Sequence, residues 1–119
     1  MSAPEQSEPP VLEARGAQIE HVSGGAKVDA RLVLRALGKA GMNEVLVEAG
    51  ATLAGALVEQ QCVDELLLYV APVVLGNRAR GLLQVPEPLS LAQARRFEVF
   101  ETVCVGADQR IRLKSCSPG

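Results

Sequence analysis

The chain predicts an α/β layered domain with the element order β-α-β-α-β and an antiparallel hairpin at its carboxyl end. Three observations carry this expectation. Two apolar runs with strand composition, at 44–48 and 64–71, each follow a segment with helix-like spacing. Two alternating stretches, 96–105 and 110–114, are separated by Gly106-Ala107-Asp108, the pattern of a hairpin. Hydrophobic residues make up 48% of the 119 residues, whereas aromatics make up 3%, which calls for a packed core of Leu, Val and Ala.

The first ten residues, MSAPEQSEPP, are polar and proline-rich and are expected to form a flexible lead-in. Residues 11–15 suit the last turn of a helix closed by Gly16, and 18–22 alternate weakly, as a strand does. Ser23, Gly24 and Gly25 then turn the chain. Asp29 has the place of an N-cap. After it Ala30, Val33, Leu34 and Leu37 fall on one helical stripe, opposite Arg31, Arg35 and Lys39, up to Gly41. The basic side of this helix is expected to be a solvated surface. The next helix occupies about 51–61. Leu66 to Ala71 are apolar without interruption, which predicts a strand buried on both faces, ended by Pro72. The first three strands are expected to be parallel, with right-handed crossovers. Residues 73–84 read as irregular, followed by a proline-containing connection and the hairpin. The main body spans 11–114, and 115–119 form a tail.

Composition excludes several classes. The net charge is −2 and there is no basic stripe, which speaks against a nucleic-acid partner. No run reaches the ~18 apolar residues of a membrane span. The amino terminus lacks the pattern of a signal peptide, so a cytoplasmic location is expected. Cys62, Cys104 and Cys116 are odd in number and widely spaced, which argues against a disulfide framework or a zinc site. His21 is the only histidine and is expected to be structural; no metal site is expected.

The chemistry concentrates at 44–57, EVLVEAGATLAGAL, where a strand meets a glycine turn and a helix. In an open α/β sheet, ligands bind at such carboxyl ends of strands. The helix start presents free N–H groups and a positive dipole end, which suit a phosphate. Glu48 at the strand mouth either accepts hydrogen bonds from sugar or polyol hydroxyls, or pairs with a basic residue or caps the helix. Gly50 permits close approach to the backbone. Thr52 either bonds a phosphate oxygen or caps the helix. Ala54 and Gly55 are small and allow close helix–sheet packing. Arg78 and Arg80, in a glycine-bounded loop, either contact a phosphate or are solvated, and the solvated state is expected. Asp64 and Glu65 open the next strand, where one of them caps or bonds neighbouring backbone.

A linked series of motifs adds to this reading. It comprises Val47-Glu48-Ala49-Gly50-Ala51-Thr52-Leu53-Ala54-Gly55-Ala56-Leu57, Val63-Asp64-Glu65-Leu66, Tyr69-Val70-Ala71-Pro72, Leu75-Gly76 and Ala79-Arg80-Gly81-Leu82. In this order it resembles the reductase part of the bifunctional riboflavin-biosynthesis deaminase/reductase, over about 11–114. The resemblance implies a dihydrofolate-reductase-like fold and NADPH-dependent reduction of 5-amino-6-(5-phosphoribosylamino)uracil, with hydride delivered to the ribosyl C1′. It places substrate contact on Glu48 and the NADP phosphates at Gly50, Ala51, Thr52, Leu53, Ala54, Gly55 and Ala56. Ala51 stands where the family usually has proline, and alanine also suits a first helical turn. The zinc signature of the family's deaminase does not occur in this sequence, and the match covers the carboxyl-terminal half of the reductase domain. A sheet lacking strands exposes an apolar edge, so a homo-oligomer is expected. The alternative reading is a non-catalytic, self-associating half-domain. With no general acid or base evident, catalysis would rest on positioning hydride donor and acceptor.

Overall fold

Residues 10–19, 21–22, 29–85 and 90–116 are described in a computed structural model. Residues 1–9 of the expected lead-in, the turn at 23–25, most of the proline-containing connection at 86–89 and the last residues of the tail lie outside them, and Pro10, the last residue of that lead-in, begins a helix. The chain divides into two compact units, Met1–Leu46 and Val47–Gly119.

The described residues of the first unit contain two helices. α1 (Pro10–Ala14) ends as expected at Gly16, whose φ of +88° is open to glycine. α2 (Ala30–Lys39) starts at Asp29, whose side chain accepts a hydrogen bond from the Arg31 N–H at 2.8 Å. At its other end Gly41, with φ +93°, donates to Gly38 O, and Met42 N donates to Leu37 O. This is the Schellman closure that a glycine after the last helical residue predicts. Residues 17–19 and 21–22 form no strand, so His21 lies on irregular backbone rather than in the expected strand.

The second unit opens with a larger departure. The expected strand at 44–48, which straddles the unit boundary, is absent, and residues 42–50 are irregular and exposed. Val45, Leu46 and Val47 favour an extended backbone, but a strand exists only where a neighbour completes its ladder. Among the described residues none does so.

Among the described residues there are three strands: β1 (Glu65–Val70), β2 (Phe97–Val105) and β3 (Asp108–Ser115). Their spatial order is β1-β3-β2, and both pairings are antiparallel. The expectation of parallel strands therefore fails for the described residues. Of the three segments expected to be parallel, only β1 forms, and its ladder is completed by the hairpin. The hairpin matches its sequence signal: Val105 faces Asp108 across a two-residue turn, and Gly106 adopts φ +61°. A positive φ at the first turn residue alone fits a type II′ turn, whose twist suits the strands. A bulge at Phe100 shifts the register between Val99 and Glu101.

Alternation sorts the sheet into two faces. On one, Leu66 and Leu68 of β1 stand opposite Leu113 and Ile111 of β3. On the other, Glu65, Leu67 and Tyr69 share a side with Arg110, Arg112 and Lys114. β1 is thus not buried on both faces. It is an edge strand, and Tyr69 remains 60% exposed.

α3 (Ala51–Glu59) carries the only buried large hydrophobic residues among those described, Leu57 and Val58, each 7% exposed. The core is far smaller than the composition suggests, and Val74 is 97% exposed. Two loop residues hold the helix at its ends. Gln84 N donates to Ala51 O at 3.0 Å, and Arg95 Nη2 donates to Glu59 O at 2.9 Å. The second contact puts a cation at the negative end of the helix dipole.

Candidate anion site at the start of helix α3

Gly50 is the N-cap of α3, with extended backbone at φ −71° and ψ 174° and no side chain to cap the first turn. Its carbonyl accepts from Ala54 N at 3.1 Å, the first bond of the helix. The N–H groups of Ala51, Thr52 and Leu53 have no partner among the described residues, as the geometry of a helix start requires. A Cβ added to Gly50 would meet nothing within 4 Å, so the approach is open. Three outward N–H groups, the dipole and an unobstructed glycine can accept an anion such as a phosphate.

Glu48 lies two residues before Gly50, exposed and without a hydrogen bond or ion pair among the described residues. Its carboxylate is available to hydroxyl or amino groups of a ligand. Between the two open readings of Thr52, the structure gives a third arrangement. Its hydroxyl donates to Gln84 Oε1 at 3.1 Å. Leu53 is exposed and Ala54 half-buried. Gly55 is buried: a Cβ there would collide with the Gln84 carbonyl oxygen and lie 2.7 Å from its carbon and 2.9 Å from its nitrogen. Gly55 and half-buried Ala56 thus belong to the packed side of the helix. The close approach expected at Gly55 is made by a loop backbone rather than by a sheet.

Arg78 and Arg80 are exposed on the loop after β1, in or next to a turn closed by Ala79 N donating to Gly76 O at 3.1 Å. Neither side chain has a partner among the described residues. Gln84 and Arg95 were not singled out in the sequence. An isolated Gln and one of two adjacent arginines carry no local signal, because their roles arise from contacts across 32 and 36 residues.

A second polar cluster sits on the sheet and shares no residue with the α3 site. Arg112 Nε donates to Glu65 Oε1 at 2.7 Å, and its Nη1 lies 3.4 Å from Glu101 Oε2. Arg110 Nη2 lies 3.5 Å from the same oxygen. The Arg112 guanidinium and the Lys114 ammonium stand 4.9 and 4.8 Å from the Phe100 ring centre. The hydrogen bond from Arg112 holds the Glu65 carboxyl below its ordinary range, and the same bond raises Arg112. Glu65 thus forms a cross-strand ion pair. Each carboxylate here is already matched by an arginine, so the cluster joins three strands.

The family model of the RibD C-terminal domain matches residues 5–106. The chain belongs to the RibD C-terminal domain family. It is 43% identical over 79 residues to the riboflavin biosynthesis protein RibD of Haemophilus influenzae, a match covering 66% of this chain and 21% of that protein. The Escherichia coli RibD is 44% identical over 86 residues, covering 72% of this chain and 23% of the relative. The 5-amino-6-(5-phosphoribosylamino)uracil reductase of Buchnera aphidicola is 35% identical over 97 residues, covering 81% and 46%. The chain thus spans about a fifth to a quarter of the length of these RibD proteins, and under half of the Buchnera reductase. Its fold matches Acinetobacter baumannii RibD (form 1) with a TM-score of 0.80 at 29% identity, over 92% of this chain and 30% of that one. The helices and antiparallel sheet described above are thus a portion of the α/β fold found in RibD.

Proposed function

We propose that the chain supplies the NADP-phosphate site and part of the substrate site of an NADPH-dependent reductase in riboflavin biosynthesis. The observation that carries this reading is the uncapped first turn of α3 directly after Glu48, in a RibD C-terminal domain. The N–H groups of Ala51, Thr52 and Leu53 bind the phosphate. Glu48 accepts hydrogen bonds from the substrate, 5-amino-6-(5-phosphoribosylamino)uracil, a reading supported by the name of the Buchnera relative. NADPH, when bound, supplies the hydride. The chain's own residues bind and orient, and the rate gain comes from holding donor and acceptor together. Such a reductase works in the cytoplasm.

The test is NADPH binding, followed by nicotinamide fluorescence, for the wild type and Thr52→Asp. An aspartate in the first turn favours the helix dipole, so folding survives while a bound phosphate is repelled. Saturable binding by the wild type and a loss of at least tenfold in the variant support the reading. Equal binding by both overturns it.

A second reading, self-association without turnover, is favoured by one observation. No described residue pairs with the outer edge of β1, and the chain leaving it carries exposed Val73, Val74 and Leu75. Sedimentation velocity distinguishes the two. A dimer or larger species with no turnover fits the second reading, and a monomer that turns over substrate excludes it.

A further inference from the structure

We infer that Gln84 is a positioning residue for the anion site: its carboxamide sets the direction of the Thr52 hydroxyl and thereby the affinity for phosphate. The inference rests on the reading of α3 given under Proposed function and adds the device that tunes it.

Gln84 touches α3 in three ways. Its N–H donates to Ala51 O at 3.0 Å. Its carbonyl lies over Gly55, where no other residue fits without displacement. Its side-chain Oε1 accepts from Thr52 Oγ1 at 3.1 Å. The first two contacts are made by backbone and persist whatever the side chain. Only the third reaches the hydroxyl of the first turn.

A threonine hydroxyl has one proton. While that proton points to Gln84, Thr52 presents only lone pairs to a ligand, and these repel phosphate oxygens. A carboxamide carries an acceptor and a donor on one carbon. Turned about its last bond, it offers Nε2 where Oε1 was. Nε2–H then donates to Thr52 Oγ1, and the hydroxyl proton is released toward the phosphate. Only hydrogen bonds change, and each donor keeps an acceptor. A carboxylate at 84 cannot make this exchange because it only accepts. Thr52 is exposed and the face at Gly50 is open, so a phosphate can reach the released proton.

The experiment measures NADPH dissociation constants for the full chain as wild type, Gln84→Ala, Gln84→Glu, Thr52→Val and the Thr52→Val/Gln84→Ala double variant. Melting curves confirm folding, which the backbone contacts of Gln84 preserve. Gln84→Ala is expected to weaken binding about threefold, because the hydroxyl is then spread over its three staggered positions, only one of which aims its proton at the phosphate. Gln84→Glu weakens it more than tenfold. In the Thr52→Val background, Gln84→Ala has no further effect, because its route to the ligand is gone. A merely structural Gln84 would give the same loss in both backgrounds, and that result overturns the inference. Unchanged binding in Gln84→Ala and Gln84→Glu, with a wild type that binds, overturns the inference alone. Failure of the wild type to bind overturns the site reading and the role of Gln84 together.

Discussion

The carbonyl of Gln84 occupies the space that a Cβ at Gly55 would fill. Helix and loop are in backbone contact there, so even a methyl group forces the loop away. Gly55→Ala is expected to destabilise the fold by about 1–3 kcal/mol, as overpacking does, although alanine is the better helix former. Urea unfolding followed by circular dichroism checks this. A stabilised variant would show that Gln84 does not lie against the helix.

Gln61 offers the opposite sign. It follows α3 with φ +57°, and Cys62 N donates past it to Leu57 O at 2.9 Å. This is the helix closure in which glycine is favoured, yet a side chain occupies the left-handed position. Gln61→Gly is expected to raise stability by roughly 0.5–1 kcal/mol, seen as a higher thermal midpoint. No gain, or a loss, would mean that the closure is not held in solution.

These two positions show what could be read from the chain and what could not. Local rules placed Asp29 as a cap, Gly41 as a stop and Gly106 in the hairpin turn, because each acts through its own backbone. They also placed α3 and the open turn at Gly50. They failed where a partner decides. Val45, Leu46 and Val47 form no strand because no ladder completes them, and the apolar run at β1 became an edge strand paired antiparallel. At the site, Glu48 and the turn residues are local features. Gln84 belongs to the site only because the loop returns to Thr52 from 32 residues away.

The Glu65–Arg112 pair predicts an acid limb in the stability profile. Its hydrogen bond lowers the Glu65 carboxyl below the ordinary value of 4.5. A carboxyl lowered by folding adds stability that is present above its unfolded value and is lost as the pH falls through the folded one. Thermal midpoints of the wild type are therefore expected to drop as the pH falls below about 4.5, and Glu65→Gln should flatten this limb. The difference is small and shrinks with added salt, since both groups face solvent. Identical profiles for the two proteins would show that the pair is not formed.

The exposed apolar segment after β1 predicts concentration-dependent assembly. Val74→Glu removes an almost fully exposed hydrophobic residue and adds a charge to the segment that follows edge strand β1. It is expected to shift sedimentation toward the monomer while changing stability by less than about 0.5 kcal/mol. An unchanged distribution would place any self-association elsewhere.

The most direct test of the central claim follows backbone amide resonances of the isotopically labelled chain during NADPH titration. The amides of Ala51, Thr52 and Leu53 are expected to move most, because they take up the phosphate, with their neighbours Glu48 and Gly50 close behind. Shifts centred on Arg110 and Arg112, or no shifts at saturating NADPH, would contradict it.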